Sequence, residues 1–228
     1  MSGREKALNA IEAVAKALGS ELCDRLVFVG GVVTAIYSRD GVAVDVRVTN
    51  DVDCIVEVHS VGAYYDLTLL LRARGFREDD APGAPRCRFI SGIRTLDVMP
   101  TDPSVLGYSN RWFTDAIQTA EHCTLGSTRV RVVTPIYFVA TKLVAFAGRG
   151  KGDFLASHDL EDAIAVLDAM PMLREAIVSG QDPVHRFLRE TLRDFLARDA
   201  FRDSVLGHLA GSEMRADRLF AWLGALPR

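Results

Sequence analysis

Two short runs constrain the fold of this chain more than anything else in it: LVFVG at 26–30, leading straight into a second glycine, and TNDVDCIVEV at 49–58. The first ends in Gly30-Gly31 and continues as VVTAIY, the pattern of a buried strand, a tight turn and a short helix. The second places Asp51 and Asp53 with a single residue between them. Side chains alternate along a strand, so both aspartates leave one face while Val52, Cys54, Val56 and Val58 line the other. Two carboxylates side by side repel unless positive charge lies between them. The pair reads as a solvated turn entering a strand or as half of a cation site, and two acids in register favour the second.

A helix that starts directly after two glycines points free backbone N–H groups at the turn, where phosphate is the usual guest. A plain tight turn would explain the same two residues. Neither GxGxxG nor GK[ST] occurs here, so the Rossmann and Walker patterns are absent. Further on, CRFISGIRTLDVMP (87–100) reads as a hairpin with Ser91-Gly92 at its turn. In its second arm Leu96 and Val98 share one face; Thr95, Asp97 and Met99 share the other. A lone acid in such a strand is costly to bury without a positive partner. Asp97 is therefore either a third ligand or a residue of an exposed face. Three carboxylates on neighbouring strands suit Mg²⁺, which takes protein oxygens together with substrate phosphates. Such ions clamp the attacking and leaving oxygens of a phosphoryl displacement, and the third acid can accept the proton of an attacking hydroxyl.

Helical spacing over 4–18 ends at Gly19-Ser20, a turn is expected at Asp40-Gly41, and an edge strand from Val42 to Val48. Residues 61–74 form a helix closed by Gly75, and CTLGSTRVRVVTP a strand pair. Pro135 opens an apolar helix in which Lys142 is the one charge between Arg131 and Arg149. Such a lysine snorkels to water or, beside a triphosphate, acts as a point-charge clamp. GRGKGD follows as a basic loop, either lying over phosphates or a solvent-exposed linker, and Ser157 caps a helix whose Asp159, Glu161 and Asp162 suit its N-terminal dipole. From Met170 onward the pattern is helical. A break near 133–135 separates a sheet-bearing half (1–133) from a helical half (134–228), with a nucleotide cleft expected between them.

The 228 residues, 49% hydrophobic and 25% charged, are those of a globular protein, and a net charge of −3 argues against indiscriminate nucleic-acid coating. Four scattered cysteines without CxxC read as reduced, half-buried thiols of a cytoplasmic protein and argue against zinc. No signal peptide and no membrane-spanning run is expected.

VGGVVTAIY followed by TNDVDCIVEV, with TLDV as a distant single acid, resembles the nucleotidyltransferase superfamily of DNA polymerase β. The resemblance implies an α+β fold, a mixed and partly antiparallel sheet flanked by helices, with Gly30, Gly31, Asp51, Asp53 and Asp97 on its motif positions. KLVAFAGRGKGDFLASHDLED is similar to the second half of AbiEii-type nucleotidyltransferase toxins, which act in type IV toxin–antitoxin pairs. Their active-site Lys and first Asp map onto Lys142 and Asp159, with Arg149 and Asp162 as further matches, although a glycine-rich insert separates Arg149 from the acids here. The implied activity is Mg²⁺-dependent transfer of a nucleoside monophosphate from an NTP to an acceptor hydroxyl. The implied acceptor is RNA, at a tRNA 3′ end, and the implied protein partner an antitoxin. Arg72, Arg74, Arg77, Arg86, Arg88 and Arg94 would supply RNA phosphate contacts, or equally a solvated helix end and hairpin. Two other readings stand beside this one: a small-molecule, aminoglycoside-type nucleotidyltransferase with Asp159, Glu161 and Asp162 in an acidic acceptor pocket, and a catalytically silent binding module.

Overall fold

The computed structural model describes residues 2–37, 51–150 and 152–227. The turn expected at Asp40-Gly41, the edge strand expected over Val42–Val48, and Lys151 of the basic loop lie outside these residues. Contacts divide the chain into a sheet-bearing unit and a helical unit, with the boundary between Thr134 and Pro135.

The first helix, α1 (Gly3–Arg25), starts on a capping box: Ser2 Oγ accepts from Glu5 N at 3.2 Å, and Ser2 N donates to Glu5 Oε2 at 2.6 Å. Ala7, Ile11, Val14 and Leu18 are buried as their spacing predicts. The helix outlasts its expected end, because Gly19 only interrupts it (φ 76°, ψ 169°) and a second piece runs to Arg25, burying Leu22 and Cys23.

Four fully buried residues form β1 (Leu26–Val29), which passes through Gly30 into one 3₁₀ turn (Gly31–Val33) and the short α2 (Thr34–Tyr37). After β2 (Asp51–Val56) comes α3 (Val61–Ala73), capped by Ser60 Oγ accepting from Ala63 N at 3.1 Å. Three strands follow, β3 (Arg77–Glu78), β4 (Arg88–Ser91) and β5 (Arg94–Pro100), then α4 (Pro103–Leu106), α5 (Phe113–Gln118), β6 (Glu121–Leu125) and β7 (Thr128–Val132). The described strands make one mixed sheet in the order β3-β4-β5-β2-β1-β7-β6. β1 pairs antiparallel with β2 and parallel with β7, β2 pairs parallel with β5, and the remaining neighbours are antiparallel. A parallel pair needs a crossover; between β2 and β5 it is supplied by α3 with the β3 and β4 strands. The sheet is therefore crossed at its centre by β1 and β2, whose inner residues are buried on both faces.

The helical unit comprises α6 (Pro135–Arg149), α7 (His158–Ala169), α8 (Pro171–Ser179), α9 (Pro183–Leu196), α10 (Asp199–His208) and α11 (Glu213–Gly224). Val184, Leu188, Leu192 and Phe195 recur along one face of α9 and are all buried, the apolar stripe a packed helix requires. Directly after the stretch read as a basic loop (148–153), the connection between α6 and α7 carries an anchor. Phe154 is buried, with ring centroids 4.9 Å from Phe146, 5.2 Å from Phe195 and 5.9 Å from Phe201. No helix among the described residues is long and apolar enough to cross a membrane.

Candidate functional site

The parallel pairing of β2 with β5 sets Asp53 opposite Asp97 and Asp51 opposite Thr95. Residues paired across neighbouring strands share a face, and Asp51 lies two positions from Asp53, so the three acids project from the same side of the sheet. Asp97 is buried; Asp51 and Asp53 are half-buried. β1 runs along the other edge of β2, with Val29 opposite Asp53, which brings the diglycine turn to the acids. Gly30 has φ 74° and ψ 179°, a conformation essentially confined to glycine. A Cβ at this position would also overlap the Asp53 carboxylate. Gly30 is thus required both by its backbone and by the close approach of that acid. Gly31 begins the 3₁₀ turn, and its carbonyl accepts from Thr34 Oγ1 at 2.7 Å.

The hairpin places Arg88 opposite Asp97. Its Nε donates to Asp97 Oδ1 at 2.8 Å and its Nη2 to Asp97 Oδ2 at 2.9 Å, a fork-to-fork pair. The same Nη2 lies 3.6 Å from Asp51 Oδ2. The hydrogen bond to Asp97 holds Arg88 still further above its ordinary pKa, against the opposing effect of burial. The Arg88 guanidinium, expected either as an RNA phosphate contact or as a solvated hairpin residue, is engaged with the acids. Arg72 is likewise engaged by Glu78, with Nε–Oε2 at 3.0 Å and Nη2–Oε1 at 2.6 Å.

Carboxylate oxygens beside a glycine turn are the donor type that a hard divalent ion takes. The spacing is another matter: among the described residues no group of three or more His, Cys, Asp or Glu side chains is arranged to hold a metal. Arg88 brings positive charge to Asp97 and Asp51. Beneath them, burial foremost and then Asp53 push the Cys54 thiol well up, and Cys87 is raised mainly by burial. All four cysteines are free and buried rather than half-buried, so these are inert thiols.

The helical unit gathers the later motif. Lys142, buried on α6, contacts Asp159 Oδ1 at 3.1 Å and Asp162 Oδ2 at 2.6 Å, one helical turn apart on α7. The second contact is an ion pair without hydrogen-bond geometry. Arg149 donates Nε to Asp159 Oδ2 at 2.8 Å and Nη2 to Asp159 Oδ1 at 2.9 Å. Burial alone would raise the Asp159 carboxyl, but the Arg149 hydrogen bonds and the Lys142 charge outweigh it and hold the group below the usual carboxylate range. The dipole reading of these acids was incomplete, since Asp159 and Asp162 are buried and paired with α6. Ser157 caps α7 as expected, accepting from Leu160 N at 3.4 Å. Sequence reasoning missed a third ion group, Asp168 with Arg215 and Arg218, each at 2.7 Å, which ties α7 to α11.

No protein-family model matches the chain, and no curated protein matches it. Among solved structures it is similar to one described as the crystal structure of an antigenic nucleotidyltransferase-like protein from Paracoccidioides brasiliensis, at 16% identity and a TM-score of 0.54, covering 90% of this chain and 93% of that one. The likeness is one of fold: a mixed sheet flanked by helices and followed by a helical region, as in a nucleotidyltransferase-like protein.

Proposed function

We propose that this protein is a Mg²⁺-dependent nucleotidyltransferase of the AbiEii type. It moves a nucleoside monophosphate from an NTP to a hydroxyl of RNA, at a tRNA 3′ end, as the cytoplasmic toxin of a pair completed by an antitoxin protein. The observation that carries the reading is the register of Asp53 opposite Asp97, with Asp51 on the same face and Gly30 packed against Asp53. In this reading Asp51 and Asp53 would hold the metal, and Asp97 would join them and accept the proton of the attacking hydroxyl. The acceptor oxygen bonds to the α-phosphorus, the bond to the β-phosphate oxygen breaks, and pyrophosphate leaves. A bound Mg²⁺ would supply neutralisation of the charge that develops during the displacement. Gly30 and Gly31 would present backbone N–H groups to the phosphates, and the motif resemblance gives Lys142, Arg149 and Asp159 as further functional residues.

The fold likeness supports the class of chemistry, and the motif resemblance supports RNA as acceptor. An acidic pocket for an aminoglycoside finds less support, because Lys142 and Arg149 already engage Asp159 and Asp162. The test is incubation with Mg²⁺, each α-labelled NTP in turn, and either total RNA or an aminoglycoside. Label is expected on RNA; label on the drug selects the small-molecule reading, and label on neither selects the silent module. Asp51→Ala should abolish transfer with an unchanged circular dichroism spectrum, and activity retained in that variant removes the mechanism.

A further inference from the structure

We propose that the C-terminal end of α7 is a binding site for a phosphate group, held by Arg174 of α8 and Arg218 of α11. The inference goes beyond the transfer chemistry above and depends neither on it nor on a metal.

Three guanidinium groups meet at this helix end around a single carboxylate. Arg174 Nη1 donates to Leu167 O and to Asp168 O, both at 2.7 Å, and so caps the last turn of α7. The Asp168 carboxylate is 4% exposed, and α11 takes both of its oxygens: Arg215 Nε donates to Oδ2 and Arg218 Nη2 to Oδ1, each at 2.7 Å. Arg174 is left with main-chain partners. Among the described residues no carboxylate lies within ion-pair distance of it, and Glu175, its exposed neighbour in the chain, acts on it only through space. What it meets instead is the partial negative charge of a helix end, roughly half a unit. Arg174 is half-buried, and burial first, then the charge of Arg218, hold it below the ordinary arginine value. Two like charges this close are relieved by an anion that bonds to both.

The donors for such an anion are in place. Nε and Nη2 of Arg174, and Nε and Nη1 of Arg218, make no hydrogen bond among the described residues. The Arg218 side chain is 55% exposed, so the site opens to solvent. One fork satisfies a planar carboxylate, as Arg149 does for Asp159. Two forks brought from different helices suit a tetrahedral oxyanion, which has oxygens for each. A phosphate group reaches this site as a small anion or as a link of an RNA backbone, and the arginines meet the same chemistry in both.

The test uses the full chain in EDTA, which removes metal-assisted phosphate binding elsewhere. Inorganic phosphate, followed by phosphorus NMR, and a single-stranded RNA oligonucleotide, followed by fluorescence anisotropy, are titrated in turn into wild type, Arg174→Gln and Arg218→Gln. Phosphate should bind wild type and bind each variant about tenfold more weakly or worse, the loss of a charge-assisted hydrogen bond. RNA affinity that falls in parallel, with a salt dependence shallower by about one phosphate contact, identifies the backbone as ligand. RNA affinity unchanged while phosphate affinity falls identifies a small phosphate ligand. Phosphate that does not bind wild type, or binds both variants as tightly, overturns the site and leaves Arg174 as a helix cap alone. Should Arg174→Gln fail to fold for want of that cap, the more exposed Arg218→Gln decides, and unchanged phosphate affinity there is enough to overturn the inference.

Discussion

Gly30 shows how much one residue can hold in place. Its backbone at φ 74° and ψ 179° costs any other residue about 1–3 kcal/mol, and a methyl group there would collide with the Asp53 carboxylate. Gly30→Ala should therefore lower stability by at least that amount in urea denaturation, and should impair nucleotidyl transfer beyond what the lost stability explains. Transfer at the wild-type rate in folded Gly30→Ala would show that the turn need not approach the acid. Alternation along β2 was enough to put Asp51 and Asp53 on one face. Arg88 was legible in principle: with Ser91-Gly92 at the turn, pairing Ser91 with Arg94 and counting back three residues sets Arg88 against Asp97. What no local pattern reveals is that Asp53 faces Asp97, since that contact is a parallel pairing across a long crossover.

Elements that follow local spacing were the predictable ones, and those that depend on distant contacts were not. α1 kept its buried stripe but did not stop at Gly19, because the chain resumes its helix on the far side of a single non-helical residue. The segment between α6 and α7 is the clearer case. Glycines and charges over 148–153 read as a basic loop, over phosphates or in solvent; at its end Asp153 Oδ1 accepts from Leu155 N at 3.0 Å and Ala156 N at 2.9 Å. Phe154 then fills the space among Phe146, Phe195 and Phe201, aromatic partners contributed by α6, α9 and α10. The connection is thereby held where it delivers Asp159 to Lys142 and Arg149. Phe154→Ala should cost about 3–5 kcal/mol, the usual penalty for emptying a buried aromatic site. Phe154→Leu should recover much of the loss. Thermal unfolding measures both, and a change under 1 kcal/mol for the alanine variant would contradict the anchoring role.

At the scale of the whole molecule, the paired acids of the helical unit set a pH dependence whose sign can be worked out. Asp159 and Asp168 both lie below the usual carboxylate range. In Asp168 burial pulls the other way, and hydrogen bonds from Arg218 and Arg215 prevail. A carboxylate whose folded pKa is depressed contributes stability that is complete above its unfolded value of about 3.9 and is lost as pH falls through the folded value, because the unfolded chain then binds more protons. The helical unit should accordingly weaken below about pH 4. The two tryptophans allow this to be seen directly, since Trp112 belongs to the sheet unit and Trp222 to the helical one. In Trp112→Phe, Trp222 fluorescence becomes the sole tryptophan reporter, and its urea midpoint should fall steadily from pH 5 to pH 2. Asp168→Asn in that background should be less stable at pH 7, having lost its charge pairs with α11, and should lose less on acidification. If the midpoint is flat over that range, or if Asp168→Asn steepens it, the ion pairs between α7 and its neighbours do not stabilise the unit in the way their geometry implies.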